Sequence, residues 1–417
     1  MPDRVTIARL GAGGDGVAEL HGKPLYLPGL LPGEIADISA EPGRGEVEAR
    51  VTSSEDRVEP FCPYFGSCGG CVAQHIGPGL YGDWKRGKVA DALARAGVPA
   101  SVEPLVDGHG SGRRRVTFHA REIEGEMQVG FMEARTHHLV PIARCPITVE
   151  ALANAPQVAA ALAQRMKGLH KPLDIAVTAT LAGLDVDLRG SGPLDERRRQ
   201  VLIAEASTVG LARLSLHGDT LVEYRRPTIL IGRSTVALPA GGFLQATEKG
   251  EAELAAAVLE GCRGTKKVAD LFAGSGPFSL RLAEKAEVHA VESDRHALAA
   301  LDRAARETPG LRRVTTEVRD LFRRPLLSTE LDGFAAVVLD PPRAGAEAQC
   351  RQLVLSSLET VVMVSCDPGT FARDAAILTE GGFTPERVVP VDQFAWSAHV
   401  EIASVFRRKR SAGRRRR

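Results

Sequence analysis

Residues 1–55 alternate apolar and polar positions in short runs, VTIARL, GVAELHGKPLYLPGLLPGE, IADIS and GEVEARVTS, broken by glycine and proline. Period-two alternation with glycine-rich turns predicts a small antiparallel, OB-like β-barrel. A helical period follows around Trp84 to Ala96, then a mixed α/β stretch with a basic, strand-like segment, GRRRVTFHARE, from Gly112 to Glu122. From about Glu248 the pattern changes. EAELAAAVLEGC reads as a helix and KKVADLF as a strand; a glycine loop and a helix come next, then the strands EVHAVES, RVTTEVRD and GFAAVVLD, the first two separated by a helix. Alternation of strand and helix predicts a parallel sheet with crossover helices. The chain is expected to be a multidomain α/β protein: a barrel over residues 1–55, a central α/β unit over 56–235, a parallel-sheet domain over 236–407 and a basic tail over 408–417.

A hydrophobic fraction of 44% and a charged fraction of 25% suit a soluble globular protein. No run of about eighteen apolar residues is present, so no membrane span is expected. The start MPDRVTIARLGAGGDG has no apolar signal-peptide core, which points to the cytoplasm. The formal charge of +1 conceals an asymmetry: eight basic residues lie in the terminal RRKRSAGRRRR, and the remaining 45 face 52 acidic ones, leaving a body near −7. Such a tail suits phosphate attraction without sequence reading, or serves only as a solubilising end. The barrel segment holds nine acidic residues against five basic, so its composition does not by itself make it an oligonucleotide binder.

VADLFAGSGPFSLRLAE runs from a buried strand through Gly274 and Gly276 into a helix. Glycines here let backbone approach a ligand and aim helix N–H groups at it. Ser279 stands where a third glycine would complete G-x-G-x-x-G, so a dinucleotide site is weakly supported. Glu292 ends the next strand, roughly twenty residues on, where a carboxylate accepts both ribose hydroxyls. Asp320 ends the third strand and is placed to bond an adenine amine. In AAVVLDPPRAG, Asp340 is followed by Pro341 and Pro342, which hold an extended backbone past the strand's carboxyl end, where ligands of open α/β sheets bind. D-x-F-x-G-x-G followed by D-P-P resembles class I S-adenosylmethionine-dependent methyltransferases that act on bases, which implies a Rossmann-like domain.

The strand in TVVMVSCDPGTFARD delivers Cys366 to the same sheet edge, and VDQFAWSAHVEIASVF places His399 and Glu401 beside a further strand. A lone cysteine ending a strand is commonly packing, and a lone glutamate a solvated charge. Beside a methyl donor the pair has one specific use. Carbon 5 of uracil is a poor nucleophile until a thiolate adds at carbon 6. After methylation a base must take the carbon-5 proton so that the thiolate is released. Cys366 and Glu401 suit those two roles.

CPYFGSCGGC puts Cys62, Cys68 and Cys71 within ten positions, and Cys145 is the next cysteine. In a reducing compartment clustered cysteines are more often metal ligands than disulfides. Zinc favours paired short knuckles, whereas three local ligands with a remote fourth are closer to ferredoxin-type spacing; both metals stay open on spacing alone. Cys262 and Cys350 fit neither set and read as packing residues.

Together the barrel, the cysteine set, GGFLQAT, DLFAGSGPFSL, LDPPRAG, VSCDPGTFARD and FAWSAHVE resemble the RNA 5-methyluridine methyltransferase family, in particular its ribosomal enzymes of the RlmD type, over nearly the whole chain. The resemblance implies a TRAM-like barrel, a [4Fe–4S] cluster on Cys62, Cys68, Cys71 and Cys145, and donor contacts from Gln245, Phe272, Glu292, Asp320 and Asp340. It also implies Cys366 as nucleophile and Glu401 as base. Gly274 and Gly276 are the donor-side glycines. The implied partner is RNA, 23S ribosomal RNA first and transfer RNA as the alternative; the chain is expected to be a monomer with no obligate protein partner. Ala273, Pro277, Asp367 and Trp396 depart from the commoner pattern without removing a group that the chemistry requires. A non-catalytic RNA-binding or iron–sulfur protein is the rival from a different class.

Overall fold

The protein is described by a computed structural model covering residues 3–41, 44–134, 136 and 138–408. Most of the basic tail, residues 409–417, lies outside them.

The N-terminal strands form one six-stranded sheet, antiparallel apart from a single parallel pairing of Tyr26 with Arg44. Its alternating residues gather into a core of Val5, Ile7, Ala18, Leu25, Leu27, Leu30, Ala36 and Ile38, the small β-domain expected from the pattern.

The chemistry-bearing sheet has eight strands in the order Val314–Val318, Glu287–Glu292, Lys267–Leu271, Ala336–Leu339, Thr360–Ser365, Glu401–Arg407, Thr384–Asp392 and Val106–Asp107. The first five run parallel, and Glu401–Arg407 is inserted antiparallel between its neighbours. Strand order reverses at Lys267–Leu271. Chains leaving the two sides of that reversal diverge above the sheet, and the crevice between them is where doubly wound sheets take ligands. The segments that diverge there begin at Phe272 and at Asp340.

A second, seven-stranded sheet has Arg115–Ile123 and Leu173–Thr180 at its middle and is backed by helices Ala155–Gln164 and Glu196–Thr208. The helix read from Trp84 to Ala96 spans Pro78–Arg95, with proline in its first turn as a start signal. It belongs in space to the eight-stranded sheet: Val89, Ala92 and Leu93 share a core with Leu271, Met363 and Phe371. Three polar anchors fix it. Trp84 Nε1 donates to Gly11 O at 2.9 Å and Lys88 Nζ to Ala12 O at 2.5 Å, both in the barrel. Lys85, fully buried, donates to Asp392 Oδ1 at 2.7 Å, to Phe394 O at 3.2 Å and to His399 O. The helix therefore braces the loop 393–400 from beneath. Among the described residues, no helix is long and apolar enough to cross a membrane.

Candidate active site

Buried Val/Leu strands of the parallel sheet end in polar residues, and those ends meet around a cavity of about 470 Å³. Gln245, Phe272, Gly274, Glu292, Asp320, Asp340, Cys366 and Glu401 all line it.

Phe272 leaves its strand with φ 63°, a left-handed conformation that is uncommon for a bulky residue and is found where the surroundings over-determine it. Its ring sits 5.5 Å from that of Phe322, making an apolar wall beside the acidic residues. Gly274, φ 53°, has nothing within 4 Å of where a Cβ would stand, so its backbone faces open cavity. Gly276 does not line the cavity: a Cβ there would collide with Leu301. Its glycine is required by the turn, with φ 92°, and by close packing against Leu301. Glu292 is oriented by its own turn, Oε1 accepting from Ser293 N at 2.6 Å and Asp294 N at 2.9 Å, and Oε2 from Gly274 N at 3.1 Å. Asp320 Oδ1 accepts from Phe322 N at 3.0 Å.

Beside the cavity two buried amides lead away from Asp340. Gln245 Nε2 donates to Asp340 Oδ2 at 3.3 Å, while Gln245 Oε1 accepts from Gln393 Nε2 at 2.8 Å. Arg114, from the basic GRRRV segment, fixes the same loop through Nε to Gln245 O at 3.0 Å and pairs with buried Glu251. Sequence reasoning found Gln245 but neither Gln393 nor Arg114, whose partners lie 148 and 131 residues away in the chain.

Cys366 and Glu401 face each other because of strand register. Ser365 pairs with Ile402 across antiparallel neighbours, so the next step carries Cys366 opposite Glu401. Burial, with the negative charges of Glu401 and Asp340, pushes the Cys366 thiol up to about 11, while Arg343 works against them. Burial raises Glu401 to about 7, opposed by the Gln393 hydrogen bond and Arg343. Asp340 is held well above the ordinary carboxyl range by desolvation, then by the charges of Glu401, Asp270 and Glu292. Arg343 Nη2 lies 3.3 Å from each ring nitrogen of His399. Partial burial, then the cations Arg343, Lys88, Lys85 and Arg113, lower His399 to about 4 and keep it neutral. A thiol, a carboxyl titrating near neutrality and one cation thus converge on the crevice that the glycine loop opens.

The four clustered cysteines line a second cavity of about 590 Å³ on the other side of the Phe243–Ala246 loop; Phe243, Leu244, Gln245 and Phe394 line both. All seven cysteines are free, with Cys262 and Cys350 buried as packing residues. Burial raises the thiols of Cys68, Cys71 and Cys145, Cys71 to about 11, and Arg113 opposes it in each case. Among the described residues, no group of three or more His, Cys, Asp or Glu side chains is drawn together around a single metal ion. A tetrahedral zinc needs four sulfurs each about 2.3 Å from one centre.

A family model described as tRNA (Uracil-5-)-methyltransferase matches residues 243–410, the segment that carries every strand end lining the cavity from Phe272 onward. An uncharacterized RNA methyltransferase of Agrobacterium fabrum is 44% identical over 409 residues, spanning 96% of this chain and 98% of that protein. The 23S rRNA (uracil(1939)-C(5))-methyltransferase RlmD of Chromohalobacter salexigens is 31% identical over 437 residues, with 99% and 90% covered. This chain belongs to the tRNA/rRNA uracil-5-methyltransferase family. It is an enzyme of the S-adenosylmethionine-dependent RNA methyltransferase class. The fold agrees: the structure of Pyrococcus abyssi tRNA (uracil-54, C5)-methyltransferase, in complex with S-adenosyl-L-homocysteine, superposes with a TM-score of 0.75 at 21% identity, covering 97% of this chain and 99% of that one.

Proposed function

We propose that the protein methylates carbon 5 of a uridine in RNA, with 23S ribosomal RNA as substrate, through a covalent bond between Cys366 and carbon 6. The observation that carries the reading is the opposition of Cys366 and Glu401 across adjacent strands, inside the cavity that also holds the glycine loop and Asp340. S-adenosylmethionine bound against Phe272, Gly274, Glu292, Asp320 and Asp340 supplies the methyl group. The Cys366 thiolate adds to carbon 6, the ring's electrons pass to the C4 carbonyl oxygen, and carbon 5 takes the methyl group from the sulfonium. Glu401, as carboxylate, then accepts the carbon-5 proton; the double bond re-forms and the C6–S bond breaks, its electron pair returning to Cys366. Arg343 favours the charged forms of both residues.

Cys62, Cys68, Cys71 and Cys145 are proposed to hold a [4Fe–4S] cluster. No electron transfer enters the reaction, so its part is structural. Purified protein with tritiated donor and unmodified 23S fragments or transfer RNA tests the reading. Label at uridine carbon 5 in 23S fragments, lost in Cys366→Ala, is expected. Methylation at another atom, or an unimpaired Cys366→Ala, overturns the mechanism; label in transfer RNA alone overturns the substrate.

A further inference from the structure

Glu251 sits in the first turn of the helix Glu248–Gly261, where an acid ordinarily complements the helix dipole from the solvent side. This one is 1% exposed and lines the same cavity as Gln245, Gly274 and Asp340. Two guanidinium groups clasp it. Its Oε2 accepts from Arg114 Nη2, and its Oε1 lies 2.9 Å from Arg281 Nη1, an ion pair without the alignment of a hydrogen bond. The side chains of Arg114 and Arg281 are themselves only 9% and 14% exposed.

Each arginine also holds a loop of the cavity wall. Arg114 donates from Nε to Gln245 O and from its backbone N–H to Ala246 O, both at 3.0 Å. Its own carbonyl accepts from Ala179 N, in the seven-stranded sheet, at 2.9 Å. Arg281, in the short helix Ser279–Leu282 after the glycine loop, donates from Nη1 to Pro277 O at 2.6 Å. The hairpin Thr228–Ile231 and Ser234–Ala237 packs over it, Arg281 Cγ lying 3.1 Å from where a Cβ on Gly232 would stand. The Gln245 loop, anchored to the seven-stranded sheet, and the glycine loop, carried by the parallel sheet, are thus joined through one carboxylate. Without its charge, two largely buried cations face the same spot with no anion between them. Such charges repel with little screening, and the loops that they hold are pushed apart.

We infer that Glu251 is a positioning residue for the methyl donor, setting the separation of the Gln245 loop and the glycine loop and tying donor affinity to the docking of the seven-stranded sheet. The inference rests on the proposed seat of S-adenosylmethionine in this cavity. Glu251 acts through the two arginines, and both of them hold loops on the donor's side. Its loss is therefore felt in donor binding and not in thiolate addition or proton removal.

Calorimetric binding of S-adenosyl-L-homocysteine to the full-length protein, beside kinetics on the RNA that wild type methylates, tests this. Glu251→Gln keeps the shape and is expected to weaken binding about tenfold or more, raising the donor KM to match. At saturating donor, kcat and the RNA KM should stay within about threefold of wild type. RNA carrying 5-fluorouridine has no carbon-5 proton to lose and is held as a covalent adduct after methylation. Its trapping at saturating donor should also match wild type within about twofold. Glu251→Asp keeps the charge and should recover part of the lost affinity. Removing one cation as well relieves the repulsion, so Glu251→Gln with Arg281→Met should bind more tightly than Glu251→Gln alone. If Glu251→Gln folds poorly, Arg281→Met alone carries the test, with binding weakened about threefold or more and kcat retained.

Unchanged donor affinity overturns the inference, as does a joint fall of kcat, RNA KM and trapping, the mark of a merely structural knot. A double variant weakened by the product of its two single effects overturns the clasp. Glu292→Ala separates the two readings. If it leaves S-adenosyl-L-homocysteine binding intact, the donor sits elsewhere, and the proposed donor site falls together with this inference. Weakened binding in Glu292→Ala beside an unaffected Glu251→Gln overturns this inference alone.

Discussion

Val72 donates its backbone N–H to the carbonyl oxygen of Trp396 at 2.8 Å, and Ala73 donates to the same oxygen at 3.1 Å. Val72 directly follows Cys71, and Trp396 lies five residues before Glu401 in the loop that ends at the base. Trp396 adopts φ 59°, with its own N–H held by Tyr81 Oη at 2.8 Å and its ring edge-on to Phe61 at 4.8 Å. The cysteine loop is thus one of the walls that hold the loop 393–400 in a conformation it would not adopt alone.

Replacing a cysteine of the clustered set should reach the active site through that contact. Cys71→Ser is expected to strip protection from the Val72 and Ala73 amides in hydrogen exchange and to lower the rate of covalent trapping roughly tenfold or more, since small displacements of catalytic groups carry penalties of that order. A variant with normal protection and trapping shows that the cysteine site does not position the loop.

Glu401→Gln separates the two halves of the reaction. Glutamine removes the proposed base and also removes a negative charge that raises the Cys366 thiol. Addition should proceed at least as fast as in wild type, while turnover drops about a hundredfold or more. A denaturation-resistant protein–RNA adduct should accumulate on ordinary, unfluorinated RNA. Gel analysis of the denatured mixture checks this, and free RNA with full turnover assigns the proton to another group.

The residues that sequence reading found are those whose role is written locally. A strand's last residue in a parallel sheet lies at the ligand-binding edge, so the apolar runs, taken with the glycine loop and the D-P-P motif, bring Asp340, Glu292 and Cys366 to one sheet edge. The departure at Asp367 is also explained locally: its Oδ1 caps the helix Pro368–Glu380 by accepting from Gly369 N at 2.8 Å and Thr370 N at 2.9 Å. Spacing marks Gly276 as a turn residue, and the packing of Leu301 against its α-carbon is a further reason for glycine that spacing does not carry. Gln393 and Lys85 were invisible for a different reason. Each is a polar residue in an otherwise unremarkable segment, and each acquires meaning from partners more than a hundred residues away. The placement of helix Pro78–Arg95 on the eight-stranded sheet likewise depends on contacts with Leu271 and Phe371 that no local period encodes.

Arg343 supplies a cation that acts on both Cys366 and Glu401, the proposed nucleophile and base. Replacing it with methionine removes the charge opposing the upward shift of Cys366 and of Glu401. Trapping of fluorouridine RNA at pH 8 is expected to fall about tenfold, equal to a one-unit rise in thiol pKa, and to recover as pH is raised. Arg343→Lys should retain part of the rate. If trapping falls equally at every pH, Arg343 binds RNA and does not tune the thiol.

The same buried acids leave a signature in stability. Burial raises Glu401 from 4.5 to about 7 and Asp270 from 3.8 to about 7, the latter against hydrogen bonds from Ser279. Both folded values lie above the unfolded ones, so between about pH 4 and 7 the native state binds more protons than the unfolded chain. The stability these two acids contribute then decreases as pH rises through that window, the reverse of a salt-bridged carboxylate. Glu401→Gln abolishes one contribution. Without donor or RNA, the variant should match wild type near pH 4 and be more stable at pH 8 by on the order of 2 kcal/mol, because wild type must then hold a buried charge there. Differencing denaturant unfolding of the two proteins at each pH cancels every other titration, and a difference that stays constant from pH 4 to 8 means that Glu401 is ionised in the folded protein throughout.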